Sequence, residues 1–191
     1  YTAILEPDSS TGIFEQILHR EQRAQARYGP NLIVTLGDSR FAYYPRVANQ
    51  QTGQTGFSFR SAGVAGTDAR EWYYMLRDLD PTRQRYRAVV LGVDDYDDED
   101  GAYDIADDLA ALHYVAARLR YSDVLEFAGS FHNRTARWEA FRGSLLKGLV
   151  FQRDILAFLA HPVKRIKSVQ LNARGFEDWT YAFVDSSKNV V

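Results

Sequence analysis

Gly37-Asp38-Ser39 follows directly on the apolar run Leu32-Ile33-Val34-Thr35-Leu36. A serine on a tight turn at a strand end exposes its hydroxyl, and its own backbone N–H can face a developing oxyanion. Gly37 lets the backbone bend there without a Cβ clash. Taken alone, the tripeptide is ordinary turn chemistry. Two further segments carry a related signal. Ser61-Ala62-Gly63-Val64-Ala65-Gly66-Thr67 is built from small residues, and Gly66 stands just ahead of an expected helix, where its N–H can point into a cleft. Leu91-Gly92-Val93-Asp94-Asp95 closes a third apolar segment. These groups fit a serine nucleophile with N–H donors arranged around an oxyanion.

The elements that must position them can be read from periodicity. Ile13, Phe14, Ile17 and Leu18 mark one side of an amphipathic helix over 12–28, ended by Gly29-Pro30. Residues 31–36 form a short buried strand, 47–56 a Gln/Thr/Gly-rich loop, and Phe57–Arg60 a second strand. Asp68 and Glu71 have capping-box spacing, and Trp72, Met75, Leu76 and Leu79 give the helix that follows an apolar face. Asp80-Pro81 closes it. Residues 88–93 make a third apolar strand, and an acidic loop runs from Asp94 to Asp108. The stretch 104–160 is mainly helical. Ile105, Leu109, Leu112 and Leu119 form one stripe, and Trp138, Phe141, Leu145 and Leu149 another. Gly143 and Gly148 argue against an unbroken second helix. His161-Pro162 ends the region, and 163–191 reads as a strand or an ordered tail.

Apolar strands alternating with helices predict an α/β fold of three α/β/α layers, with a mainly parallel sheet covered on both faces. Residues 1–191 form a single domain. Active groups in such sheets sit at the carboxyl ends of strands. The three segments above are therefore expected to converge at one sheet edge.

Of the 191 residues, 46% are hydrophobic and 25% are charged, and the net charge is -2, which gives no footprint for nucleic acid. The absence of cysteine excludes disulfides, thiolate catalysis and cysteine-based zinc sites. No apolar run reaches 18 residues, so no membrane span is expected. An aromatic content of 14% suits either a Tyr-rich core or an aromatic-lined cleft for carbohydrate. The chain starts at Tyr1 rather than Met and its stretch 163–191 is only weakly patterned, so a domain trimmed at both ends and incomplete at the C-terminus is expected. An extracytoplasmic setting, periplasmic or anchored through a preceding segment, is favoured over the cytoplasm.

Over residues 30–96 the chain resembles the SGNH, or GDSL-type, hydrolase superfamily. Gly37-Asp38-Ser39 matches that family's first sequence block. Gly63 and Gly66 match a Gly-x-x-Gly second block, and Gly92-Val93-Asp94-Asp95 matches a Gly-x-Asn-Asp third block. The resemblance implies a flavodoxin-like α/β/α fold and ester hydrolysis or O-acyl (acetyl) transfer through an acyl-serine. Ser39 would be the nucleophile. Ser39, Gly66 and the third-block residue, here Asp94, would form the oxyanion hole. The substrate would be an acylated small molecule or carbohydrate, with no cofactor and no metal.

Two departures from the family pattern stand out. The third-block asparagine is Asp94, and an ionised carboxylate cannot donate to an oxyanion. It donates only when protonated, which a desolvated site or the neighbouring Asp95 would favour. The fourth-block Asp-x-x-His is missing. The histidines are His19, His113, His132 and His161. His161 is the latest in the chain and the candidate base; its place at a helix end also suits a histidine favoured there by the helix dipole. Arg40 suits a substrate anion, the acidic loop or plain solvent. The six carboxylates in 94–100 suggest a cation, but an EF-hand alignment puts Tyr96 where the first ligand belongs, and a solvated acidic loop is expected instead. The alternative to an enzyme is a non-catalytic binding or assembly module on a degenerate scaffold of the same kind.

Overall fold

The computed structural model describes residues 9–25, 31–41, 44–51, 56–93 and 109–167. Three parallel strands, β1 (Leu32–Leu36), β2 (Ser58–Ser61) and β3 (Ala88–Leu91), form a sheet in the order β2-β1-β3. All five residues of β1 are buried. Central in the sheet, β1 hydrogen-bonds on both sides, as its unbroken apolar sequence requires. The fold is α/β with a parallel sheet.

Helix α1 (Ser10–Gln25) begins where Ser9 Oγ accepts from the Gly12 N–H at 2.9 Å. It places Phe14, Ile17 and Leu18 in the same core as Val34 and Leu36 of β1. Its polar side is pinned as firmly. Glu21, 2% exposed, accepts from Arg20 at 2.7 Å and from two nitrogens of Arg60 at 3.0 Å, tying α1 to β2. Glu15, also buried, pairs with Arg118 through both carboxylate oxygens. A buried carboxylate is tolerable only with such partners.

Helix α3 (Ala69–Leu79) starts at the expected capping box: Asp68 accepts from the first turn, and Glu71 Oε2 accepts from the Asp68 N–H at 3.1 Å. Trp72, Met75 and Leu79 are buried as read, while Leu76 packs half-buried against the core. The Asp80 carboxylate then accepts the N–H groups of Gln84 and Arg85, at 3.0 and 3.1 Å, and turns the chain toward β3.

The stretch read as loop over 47–56 instead holds helix α2 (Tyr44–Gln51), with Pro45 in its first turn. Asn49 explains why a polar helix belongs there. Its amide donates to the Phe59 carbonyl at 2.9 Å and accepts the Phe59 N–H at 2.8 Å. One side chain thus satisfies the outward backbone groups of Phe59 on edge strand β2, and Arg20 donates to the Ser61 carbonyl at 2.7 Å.

Beyond β3, α4 (Ala110–Val115), α5 (Val124–Gly129), α6 (Arg134–Leu145) and α7 (Lys147–Ala160) make a helical layer, with α4 packed on α1 and α3. Two expectations fail here. The strand expected to be covered on both faces, β3, has Val89, Leu91 and the following Val93 exposed; among the described residues the helices pack on the sheet mainly over β1. The stripe Trp138, Leu145, Leu149 points outward, and α6 buries Ala136, Ala140, Gly143 and Ser144 instead. Close helix approach selects those small residues: a Cβ on Gly143 would lie 2.6 Å from Leu112 Cδ2. The break between α6 and α7 falls at Leu146, between the two glycines. Residues 162–167 are helical. Gly29-Pro30, the acidic segment 94–108 with Ile105, and 168–191 lie outside the described residues.

Candidate functional site

In a parallel sheet ordered β2-β1-β3, the chain adds β2 on one side of β1 and then β3 on the other. The crevice outside the carboxyl ends of β1 and β3 is then the switch point, where such sheets bind ligands. Gly37-Asp38-Ser39 leaves β1 at this point and Gly92 leaves β3. The segment after β2 joins them. The Ala62 N–H donates to Thr35 at 2.9 Å, the Val64 N–H to Gly37 at 3.1 Å, and the Gly92 N–H to Leu36 at 2.8 Å. The expected convergence of three strand ends is present.

Missing side chains make it possible. A Cβ on Gly63 would sit 2.6 Å from the Gly37 carbonyl oxygen. Cβ atoms on Gly37 and Gly92 would sit 2.6 and 2.4 Å from Cβ and Cγ of Phe41. Phe41 ends a 3-10 turn, Ser39–Phe41, and its ring fills the space between the two glycines while stacking on Tyr44 at 4.7 Å. Phe41 is thus a site-shaping residue that the sequence reading missed. Its only local signal was an aromatic two residues after the serine.

Asp38 faces Arg40. Its carboxylate accepts the Arg40 N–H at 2.8 Å and Arg40 Nε at 2.7 Å. Burial pushes the carboxyl up, but the hydrogen bonds and charge of Arg40 outweigh it and hold Asp38 below the ordinary aspartate value. Arg40 therefore serves to fix the turn that carries Ser39. Ser39 itself is half-buried, and among the described residues neither its hydroxyl nor its N–H is engaged in a hydrogen bond.

The second turn is anchored from three sides. Thr67 Oγ1 donates to the Val64 carbonyl at 2.6 Å and accepts Trp72 Nε1 at 3.0 Å. Tyr114 donates its hydroxyl to the Ala65 carbonyl at 2.9 Å. Gly66 has φ +70°, the left-handed region that favours glycine, and a Cβ there would press on the Tyr114 hydroxyl at 3.3 Å. The Gly66 N–H has no acceptor among the described residues.

The chain matches no family model, no curated protein and no solved structure. The site therefore rests on its own geometry. That geometry brings together Ser39, the Gly63–Gly66 turn and Gly92. His19, His113, His132 and His161 are all exposed, and no hydrogen bond or ion pair among the described residues joins one to Ser39. His161 caps the end of α7, with its N–H on the Ala157 carbonyl at 3.1 Å. Asp94 and Asp95 lie outside the described residues. Among those residues no cluster of three His, Asp or Glu could hold a metal. An open groove of about 540 Å³ lies elsewhere, between α5 and α6, lined by Leu125, Trp138, Phe141 and Arg134 among others. It contains none of the strand-end groups.

Two predictions follow from these contacts. Gly92→Ala is expected to cost about 1–3 kcal/mol by driving into the Phe41 ring. Adding Phe41→Ala should recover much of that loss, so urea unfolding of the two single variants and the double variant must be clearly non-additive. The other concerns Glu71. Burial pushes its carboxyl well above the ordinary 4.5, and the charge of Asp68 and their hydrogen bond add to this. The folded chain then binds the proton more tightly than the unfolded chain. The stabilisation is full below the ordinary glutamate value and is lost as pH rises through the higher folded value. Glu71→Gln keeps an acceptor for the Asp68 N–H and removes the titration. It should exceed the parent in stability near pH 8, with the gap closing toward acid pH in the same urea assay.

Proposed function

We propose that this chain is an SGNH-type serine esterase or O-acyl transferase domain acting through an acyl-serine on an acylated small molecule or carbohydrate. The observation that carries the reading is the meeting of Ser39, the Gly66 turn and Gly92 at the β1/β3 switch point, with the N–H groups of Ser39 and Gly66 uncommitted among the described residues. Ser39 Oγ attacks the ester carbonyl as a base removes its proton. Charge on the carbonyl oxygen is held by the two N–H groups and by Asp94 when that side chain is protonated. The alkoxide leaves with a proton, and water or an acceptor hydroxyl then releases the acyl group from Ser39. His161 is the base candidate carried by this chain.

One observation favours a second reading. All four histidines are exposed and none bonds to Ser39 among the described residues, which suits a scaffold that binds its ligand without turning it over.

Labelling with a fluorophosphonate separates the two. Under the enzyme reading Ser39 is labelled, and Ser39→Ala loses labelling and ester turnover by at least about a thousandfold. A folded chain that stays unlabelled belongs to the binding module. Asp94→Asn replaces an acid that donates only when protonated by a permanent donor. Turnover of a chromogenic acetyl ester near neutral pH should then rise about tenfold or more; a large fall would assign the carboxylate a separate task.

A further inference from the structure

Surface helices of a folded domain normally turn polar residues to water. Helix α7 does the reverse. Of its residues only Val150 is fully buried, while Leu149, Ile155, Leu156 and Leu159 are exposed, the last two at 58% and 67%. Val163, at 65%, and Ile166 continue the exposed apolar series in the helical stretch 162–167. In the helix itself, Leu149, Ile155, Leu156 and Leu159 fall on one arc at 100° per residue, with Gln152 as the polar residue among them and Arg153 at its border. A mainly apolar face of this kind on a folded domain marks an interaction surface.

The charge carried by the helix and its continuation has one dominant sign. Residues 147–167 hold five Lys and Arg against one Asp, a net +4, whereas the whole chain carries -2. Arg153, Lys164 and Lys167 are exposed within and just beyond α7.

We propose that α7 and the stretch 162–167 dock in the plane of an anionic phospholipid surface. Leu156, Leu159 and their neighbours enter the headgroup–acyl boundary, and the flanking cations stay at phosphate level. Apolar side chains bordered by Lys and Arg are the composition that binds in this way, with affinity shared between buried apolar area and attraction to anionic lipid. No described helix is long and apolar enough to cross a membrane, so the contact is interfacial. A second copy of the chain fits the face less well. A two-fold contact sets each patch against itself, and here it would bring two groups of cations together at the edge of the apolar contact. The proposal does not involve Ser39 itself, but His161, the base candidate, lies between α7 and the stretch 162–167 and so falls within the docking element.

Co-sedimentation of the whole chain with vesicles tests it. Expected is recovery with equimolar phosphatidylcholine and phosphatidylglycerol, little with phosphatidylcholine alone, and a decline as salt rises. Lys164→Gln with Lys167→Gln should weaken binding to the anionic vesicles about thirtyfold, at roughly fivefold for each cation removed. Leu156→Glu with Leu159→Glu, both at exposed positions, should abolish binding while leaving the circular-dichroism melt unchanged. Equal recovery on both vesicle types, or none on the anionic ones, overturns the proposal. So does a lysine pair variant that binds like the parent. Sedimentation velocity without lipid supplies the remaining outcome: a concentration-dependent dimer that Leu156→Glu with Leu159→Glu converts to monomer assigns the face to a second copy and overturns it as well.

Discussion

Three strand ends can meet in this sheet because Gly37, Gly63 and Gly92 carry no side chain. The Gly63 Cα passes so close to the Gly37 carbonyl that a methyl group there would sit 2.6 Å from the oxygen, and the Phe41 ring occupies the room left at Gly37 and Gly92. With those positions empty, β1 goes on pairing with the segment after β2 as far as Val64, and with Gly92 after β3. The turn bearing Ser39 is thereby held between two backbones, with Asp38 and Arg40 bracing it from outside. A reactive hydroxyl needs this kind of support, since a loose turn would lose the orientation that makes it useful.

The same region places charge where water is scarce. Glu15 and Glu21 of α1 are buried and met by Arg118 and by Arg20 with Arg60. Glu71 is buried too, but its near neighbour is Asp68, so it answers desolvation by holding its proton more tightly instead of by pairing with a cation. Tyr114 lies close enough to feel the Glu71 charge, and its hydroxyl anchors the Ala65 carbonyl. The second turn of the site is therefore tied to α1 and α4 through their packing as well as to its own helix.

The helical half obeys a different constraint. Helix α6 approaches its neighbours through Ala136, Ala140 and Gly143, and helices that close have no room for large side chains between them. Trp138, Leu145 and Leu149 are therefore turned outward, and α7 follows with an apolar outer face. The described residues thus combine tightly braced strand ends with an apolar outer face on α7.

The sequence by itself determined what is local. The all-apolar run of β1, the Asp68–Glu71 capping box, the apolar face of α3 and the glycine-marked turns were legible because hydrogen bonding within a few residues, side-chain periodicity and glycine geometry act over short spans. The meeting of the three turns was legible as well, since parallel strands place their carboxyl ends together. Tertiary structure alone decided the rest. Asn49 is part of a helix because edge strand β2 needs a partner ten residues away, and composition read only a loop. The exposed side of β3 depends on where the described helices pack on the sheet, mainly over β1. The buried face of α6 was set by how closely two helices approach, a distance that hydrophobic periodicity does not encode. Phe41 gained its place from two glycines at the ends of different strands, 55 residues apart in sequence and adjacent only after folding.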